Sequence, residues 1–402
     1  MKAAMICALS LIVILHGTES KALSTTEVDH KTDAQVLDQT VAALCDRQIA
    51  MLGENGFHGD GKTAAFKADL VGALIDRCGF GVVAFESGAY DFIAIERSVQ
   101  RGEPITRDMV ASAIGGLWNQ NAEIQPLIDD LRTRTASGRL LLVGLDDQLG
   151  SLGSFYSLEA MPAELASALG PDRQIECAAS LKQRIWSGYT REAPYTEETR
   201  AALARCLEEI EAAGVARPDD RDATRRIIAN FRRTLARDFQ PGLERLAGRD
   251  ASMLENLEAA ARDSDGRPRK VIVWAGNSHV AKASPDGSPY ETRPNLGALA
   301  AERFGSSAYA LGFSAAGGMF RYTVRTAREI AEAAAGSLEQ RALADSADQE
   351  IVFRDTHWLD VQDAIVGSAF SDHKPVLFDW ATAYDGIIVF RRERPPFRLD
   401  EQ

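Results

Sequence analysis

Gln48-Ile-Ala-Met-Leu52, running into Gly53-Glu54-Asn55-Gly56-Phe57-His58-Gly59-Asp60-Gly61, is the stretch that decides the fold. Residues 48–52 read as a buried strand, and the nine that follow hold too much glycine to pack a core. Phe66, Leu70 and Leu74 on one stripe, with Val71 and Ile75 beside it, predict a helix from about Thr63 to Arg77. A second apolar strand, Phe80 to Phe85, ends directly on Glu86-Ser87-Gly88. The unit is strand–loop–helix–strand, with an ionisable residue beyond each strand. Parallel sheets bind ligands at that edge, in the crevice outside the carboxyl ends of the strands.

The arrangement recurs at Lys270-Val-Ile-Val-Trp-Ala275, which stops at Gly276-Asn277-Ser278-His279. The chain has six histidines: His16, His30, His58, His279, His357 and His373. Of these, His58 and His279 follow hydrophobic strands at the predicted ligand edge. A core histidine satisfied by backbone groups is the plain alternative for each alone; the two together point to chemistry.

Further apolar strands at 139–145, 306–312 and 386–391, mostly separated by helical stretches, predict an α/β fold. Its sheet is mainly parallel and covered by helices on both faces. Between the third and fourth strands an insertion, 155–264, reads as helix almost throughout. Ile227, Phe231, Leu235 and Phe239 repeat at four-residue spacing, and Thr196 with Glu197 and Glu198 behind it predicts a helix start. The arginines at 225, 226, 232, 233 and 237 lie on the remaining faces, and the Asp and Glu interspersed in the insertion make them read as a solvated face. Such an insertion is placed to wall a substrate cleft. Gly150-Ser-Leu-Gly-Ser154 and Ala315-Ala-Gly-Gly318 match no nucleotide-binding pattern and read as ordinary loops.

Met1-Lys2 followed by Ala3 to Leu15 has the length of a signal peptide and is too short to span a membrane. The expected division is a signal peptide over 1–24 and one domain over 25–402, about 375 residues, secreted or periplasmic. No later apolar run suffices for a transmembrane segment. A net charge of −13, with both signs mixed, argues against nucleic acid and leaves the substrate open; the expected partner is a small-molecule substrate, and oligomeric state is left open. Cys45, Cys78, Cys177 and Cys206 remain after cleavage, and an even count in an oxidising compartment predicts two disulfides. Cys45 and Cys78 each end a helix before a strand, and adjacent parallel strands would bring them together. Cys177 and Cys206 lie on consecutive helices.

No Gly-x-Ser-x-Gly elbow, no His-Glu-x-x-His and no zinc-spaced cysteine pair occurs, so no cofactor is implied. Glu54, His58, Glu86 and His279 remain as the catalytic candidates. A neutral imidazole held by a carboxylate takes a proton from water and returns it to a leaving group. The expected roles are His58 as base, Glu86 orienting it, and His279 polarising the carbonyl or protonating the leaving group. Asn277 and Lys67 are candidates for oxyanion support. The same four side chains are competent metal ligands, so a metal-dependent hydrolase is one alternative. A non-catalytic envelope- or carbohydrate-binding protein is another.

Leu52-Gly-Glu54…His58-Gly59, Gly79-Phe80…Phe85-Glu86 and Trp274-Ala275…Asn277-Ser278-His279, in this order, resemble the erythromycin esterase family. Trp118…Glu123, Gly144-Leu145-Asp146 and Tyr384-Asp385-Gly386-Ile387-Ile388 support it, over roughly residues 33–392. The resemblance implies metal-independent lactone hydrolysis by activated water. It places the base on His58 and the second-strand glutamate on Glu86. The first-loop glutamate falls on Glu54 and the histidine after the Trp-Ala strand on His279. Trp118, Glu123 and Asp146 join Lys67 and Asn277 as expected substrate-binding residues. Three departures stand out. The family spaces its glutamate and histidine by two residues, and here there are three. The first histidine of its Trp-Ala-His-Asn-x-His run is Gly276, and its arginine nine residues after the base is Lys67. These bear on macrolide specificity more than on hydrolysis.

Overall fold

The computed structural model describes residues 34–56, 58–149, 155–214, 220–322, 326–346 and 348–399. The expected signal peptide and the Gly150–Ser154 loop lie outside these residues. Seven strands form the central sheet: β1 (Ile49–Leu52), β2 (Val82–Gly88), β3 (Leu141–Asp146), β4 (Val271–Trp274), β5 (Ala308–Ala315), β6 (Ile351–Asp355) and β7 (Gly386–Phe390). Their order is β3-β2-β4-β1-β5-β7-β6. All neighbours are parallel except β6, which runs antiparallel to β7 at the edge. This is the mainly parallel α/β sheet that alternating strands and helices predict. β1 and β4 are buried at every position, as strands covered on both faces must be.

The helices used below are α1 (Ala34–Leu44), α2 (Gly61–Cys78), α3 (Ala89–Gln100), α4 (Pro171–Ile185), α5 (Glu197–Ala213), α6 (Arg221–Arg237), α7 (Gly242–Ala260) and α8 (Leu296–Phe304). One apolar core lies under α1 and α2, with Phe66, Leu70 and Leu74 against Leu52, Phe85 and Trp274. The other lies under α7 and α8, with Met253, Leu257 and Leu296 against Met51, Val82 and Val273. A third core, Cys177, Leu181, Leu207, Ile227 and Phe231, binds α4, α5 and α6 to one another and to Ile93 of α3. Thr196 caps α5 by accepting from the Thr199 amide. Among the described residues no helix is long and apolar enough to cross a membrane.

Both expected disulfides are present, Cys45–Cys78 with Cα atoms 5.0 Å apart and Cys177–Cys206 with 5.8 Å. The reason for the first pair needs correcting: β1 and β2 are not adjacent, because β4 runs between them. The two cysteines meet because α1 packs on α2. Lys270, just before β4, also ties the pair by donating to the carbonyls of Cys45 and Cys78.

Candidate active site

Register fixes the site before any side chain is considered. Leu52, Trp274, Phe85 and Gly144 are paired across four adjacent strands, forming one row. Glu54, Gly276 and Asp146 lie two residues past that row, and Glu86 one. The return of β4 between β1 and β2 inserts the segment of His279 between those of His58 and Glu86. A bulge between Phe85 and Gly88 breaks the β2 ladder at Glu86, the kind of irregularity that re-aims a side chain.

Glu54 is buried and its carboxylate is saturated. Oε1 accepts from His58 Nδ1 at 2.7 Å and Trp118 Nε1 at 2.6 Å. Oε2 accepts from Lys67 Nζ at 3.0 Å and Trp274 Nε1 at 3.2 Å. Burial would raise its pKa, but Lys67 and His58 outweigh burial and hold it below the usual carboxylate range. Lys67 is fully buried; burial brings its ammonium down to about 8 against the pull of Glu54. Its Nζ also lies 4.2 Å from the centre of the Trp274 ring. Lys67 is therefore the counter-charge of Glu54, not a free oxyanion donor.

His58 has a left-handed backbone, φ +54°, and stands edge-on to Trp118 at 4.9 Å. Its orienting carboxylate is Glu54, where the sequence suggested Glu86. Glu86 instead holds a second cationic group. Its Oε1 lies 3.1 Å from His279 Nε2 and accepts from Arg249 Nη2 at 2.9 Å; its Oε2 accepts from the Gly276 amide at 2.9 Å. Burial opposes its charge, yet His279 and Arg249 keep its pKa well below the ordinary value.

His279 Nδ1 lies 2.6 Å from Asp250 Oδ1, and the same carboxylate accepts from Tyr290 OH at 2.9 Å and the Leu296 amide at 3.0 Å. Burial lowers the imidazole pKa, but Glu86 and Asp250 overcome it and lift it to about 10. Arg249 also donates through Nε to Asp146 Oδ2 at 2.9 Å, which brings Asp146 into the cluster. Arg249, Asp250 and Tyr290 were missed by sequence reasoning. A signal existed: Asp250 shares the inward stripe of α7 with Leu246, Met253 and Leu257, where a charge needs a buried partner.

Asn277 is not available as an oxyanion donor. Its Nδ2 donates to Phe313 O at 2.7 Å and its Oδ1 accepts from Phe313 N at 3.2 Å, clamping β4 to β5. Gly53 is required by that clamp, since a Cβ there would stand 2.1 Å from Asn277 Oδ1. Trp118 reaches Glu54, as above. Glu123 makes no contact with the cluster; it accepts from Arg394 and from the Phe397 amide at 3.0 Å, anchoring the C-terminal segment.

Gly276 is open for a different reason. Its backbone, φ −69° and ψ 151°, suits any residue. A Cβ there would lie 3.5 Å from His58 Cε1 and 3.6 Å from Glu86 Oε2, in ordinary contact with both. The missing side chain leaves space between the two halves of the cluster.

The carboxyl edge of this α/β sheet thus carries one histidine bound to Glu54 and a second bound to Asp250 and Glu86. The erythromycin esterase profile matches residues 75–393, and the chain belongs to that family. Membership supports a hydrolase-like function on a small molecule. The fold is similar to that of a solved Bacillus cereus protein at 17% identity, with a TM-score of 0.65 over 91% of this chain and 94% of that one. It is also similar to a succinoglycan biosynthesis protein, 17% identical, TM-score 0.69, over 91% and 93%. A mutant of the erythromycin esterase EreC in its open conformation matches at 15% identity and TM-score 0.62, over 89% and 93%.

Proposed function

We propose that the protein is an exported hydrolase that cleaves an ester, lactone or amide with water activated by His58. The Glu54–His58 bond carries this reading. With Nδ1–H held by Glu54, the lone pair stands on Nε2, which has no partner among the described residues, and the ring borders the space beside Gly276. Water there would lose a proton to Nε2 as its oxygen bonds to the carbonyl carbon. Glu54 stabilises the imidazolium that forms. The raised pKa of His279 keeps it charged at neutral pH, beside Glu86. Its positive charge, with that of Arg249 held by Asp146 and Glu86, would offset the negative charge that develops on the carbonyl oxygen. Collapse breaks the C–O or C–N bond, and the proton taken by His58 goes to the leaving group.

A metal centre fits the donor set poorly. Glu54 already accepts four N–H groups, and the ammonium of Lys67 and guanidinium of Arg249 would repel a cation at either carboxylate. Among the described residues no group of three or more His, Cys, Asp or Glu is arranged to hold an ion.

Two disulfides support export through the leader at 1–24 to an oxidising compartment, periplasmic or extracellular. The remainder, 25–402, is one domain in which the helical insertion 155–264 helps to wall the approach to the site. A cleft of about 370 Å³ between α4, α6 and α7, lined by Gln148, Arg184, Arg237, Arg245 and Leu246, ends on Arg249. The deciding experiment is hydrolysis of ester, lactone and amide panels by the purified mature protein and its His58→Ala variant, with and without chelator. Hydrolysis that needs His58 and ignores chelator supports the reading. Loss with chelator and return with zinc replaces it by metal catalysis, and saturable binding without turnover replaces it by a binding protein.

A further inference from the structure

The loop that carries Glu54 and His58 is held from outside by a segment that no step of the proposed hydrolysis uses. Asp372 and His373 both have left-handed backbones, φ +57° and +51°. Residues with side chains avoid this conformation, and two in succession persist only where surrounding contacts impose it. Those contacts run to the two ends of the loop. The Asp372 amide donates to Asn55 Oδ1 at 3.1 Å, and His373 Nε2 lies 3.1 Å from each carboxylate oxygen of Asp60. His58, itself left-handed, lies between the two anchor points.

Asp60 stands at the N-cap of α2, yet its side chain caps nothing. Glu393 takes that role, accepting from the Lys62 amide at 2.6 Å and the Thr63 amide at 3.1 Å. The Asp60 carboxylate is thereby left to His373, and both side chains are buried, 5% and 4% exposed. His373 Nδ1 is buried and has no hydrogen-bond partner among the described residues, so the ring forgoes one nitrogen to keep the other on Asp60. Burial disfavours its charge, but Asp60, Glu393 and Glu339 outweigh burial and raise its pKa. The Phe320 ring packs beside it at 5.1 Å.

We propose that His373 is a positioning residue: with Asp372 it forms a strap that ties Asn55 and Asp60 and so holds His58 in its left-handed, Glu54-bonded pose. Only the catalytic consequence of the strap rests on the hydrolase reading.

Amide exchange and histidine-ring NMR on the mature chain test the strap without substrate. His373→Ala should speed exchange across residues 54–60 by about tenfold or more while the interior of α2, Phe66–Leu74, stays protected. The His58 ring signals should shift or broaden. His373→Gln, which keeps a donor for Asp60, should restore most of the protection. With 4-nitrophenyl acetate as probe, His373→Ala should lower kcat about tenfold with KM changed less than about twofold. Unchanged exchange at 54–60 with unchanged His58 signals overturns the proposal. So does loosening of α2 equal to that of the loop, which would make His373 a support of the helix alone. Should His373→Ala not fold, Asp60→Asn takes its place, with loosening of the loop expected and an unaltered loop overturning the strap. If the wild type hydrolyses nothing, the hydrolase reading falls and the exchange result still judges the strap.

Discussion

Asp250 and His279 meet at 2.6 Å across the sheet edge, one delivered by a helix of the insertion and the other by the turn after β4. The contact makes the helical insertion part of the candidate site, beyond serving as its wall. Without Asp250 the imidazole would keep only Glu86 to offset its burial.

That dependence sets a pH limit. His279 has its pKa raised, from 6.5 to about 10, so its contribution to stability is complete below about pH 6.5 and disappears as pH rises through about 10. Turnover should fall over the same alkaline limb, because the charge of His279 that offsets the developing oxyanion is lost. Asp250→Asn should move that limb toward lower pH and reduce the rate by about 10²-fold. Rate–pH profiles corrected for spontaneous hydrolysis, taken beside thermal melts, measure both effects. An unmoved limb in Asp250→Asn would separate the charge of His279 from catalysis.

The two glutamates should fail in different ways. His58→Ala should abolish hydrolysis, by about 10³-fold or more, with little change in melting temperature, since Glu54 keeps Lys67, Trp118 and Trp274 as donors. Glu54→Gln should also be inactive but should lose roughly 3–5 kcal/mol of stability, because it strands the buried ammonium of Lys67. Glu86→Gln should leave the fold intact and depress kcat. Denaturant titrations alongside kinetics distinguish these outcomes.

Gly276→Ala isolates the space between His58 and Glu86. The backbone there accepts alanine and the added methyl makes only ordinary contacts, so stability should stay within about 0.5 kcal/mol of wild type. Hydrolysis should nevertheless fall by about tenfold, more for bulky substrates than for small ones, because the methyl stands where the reacting atoms are placed. Kinetics on esters of graded size give the answer; a uniform, unchanged rate would put the reacting bond elsewhere.

Reducing the disulfides should affect folding more than chemistry. Cys45–Cys78 and Cys177–Cys206 close segments with sequence separations of 33 and 29, for which loss of each bridge costs about 3 kcal/mol. Serine variants should melt at lower temperature and turn over at the wild-type rate at 25 °C. A rate loss without a melting shift would contradict this.

Much of the reactive edge was legible in the sequence because a buried parallel strand is a short apolar run, and the first polar residue beyond it marks the carboxyl end. Leu52 before Glu54 and Phe85 before Glu86 follow that rule, and after Trp274 the first polar residue is Asn277, two short of His279. Strand order was not legible: the insertion of β4 between β1 and β2 depends on pairs such as Ile49 with Val271 and Val82 with Val271, 222 and 189 positions apart in sequence, and no local pattern records it. The partner assignment went wrong for the same reason, since Glu86 and His58 appear as a natural pair until His279 comes between their strands. Arg249 and Asp250 were hidden in a helix whose other charges face solvent. Strand β6 escaped notice because it is an edge strand ending on Arg354-Asp355, too polar to read as core.

The four ion pairs of the site, Glu54 with Lys67 and His58, and Glu86 with Arg249 and His279, have side chains at most 16% exposed. Dissolved ions screen charges only where they can approach them, over a Debye length of about 8 Å at physiological ionic strength. Counterions cannot enter between these partners. Whether dilute or saline water surrounds the protein, the strength of these pairs should stay the same.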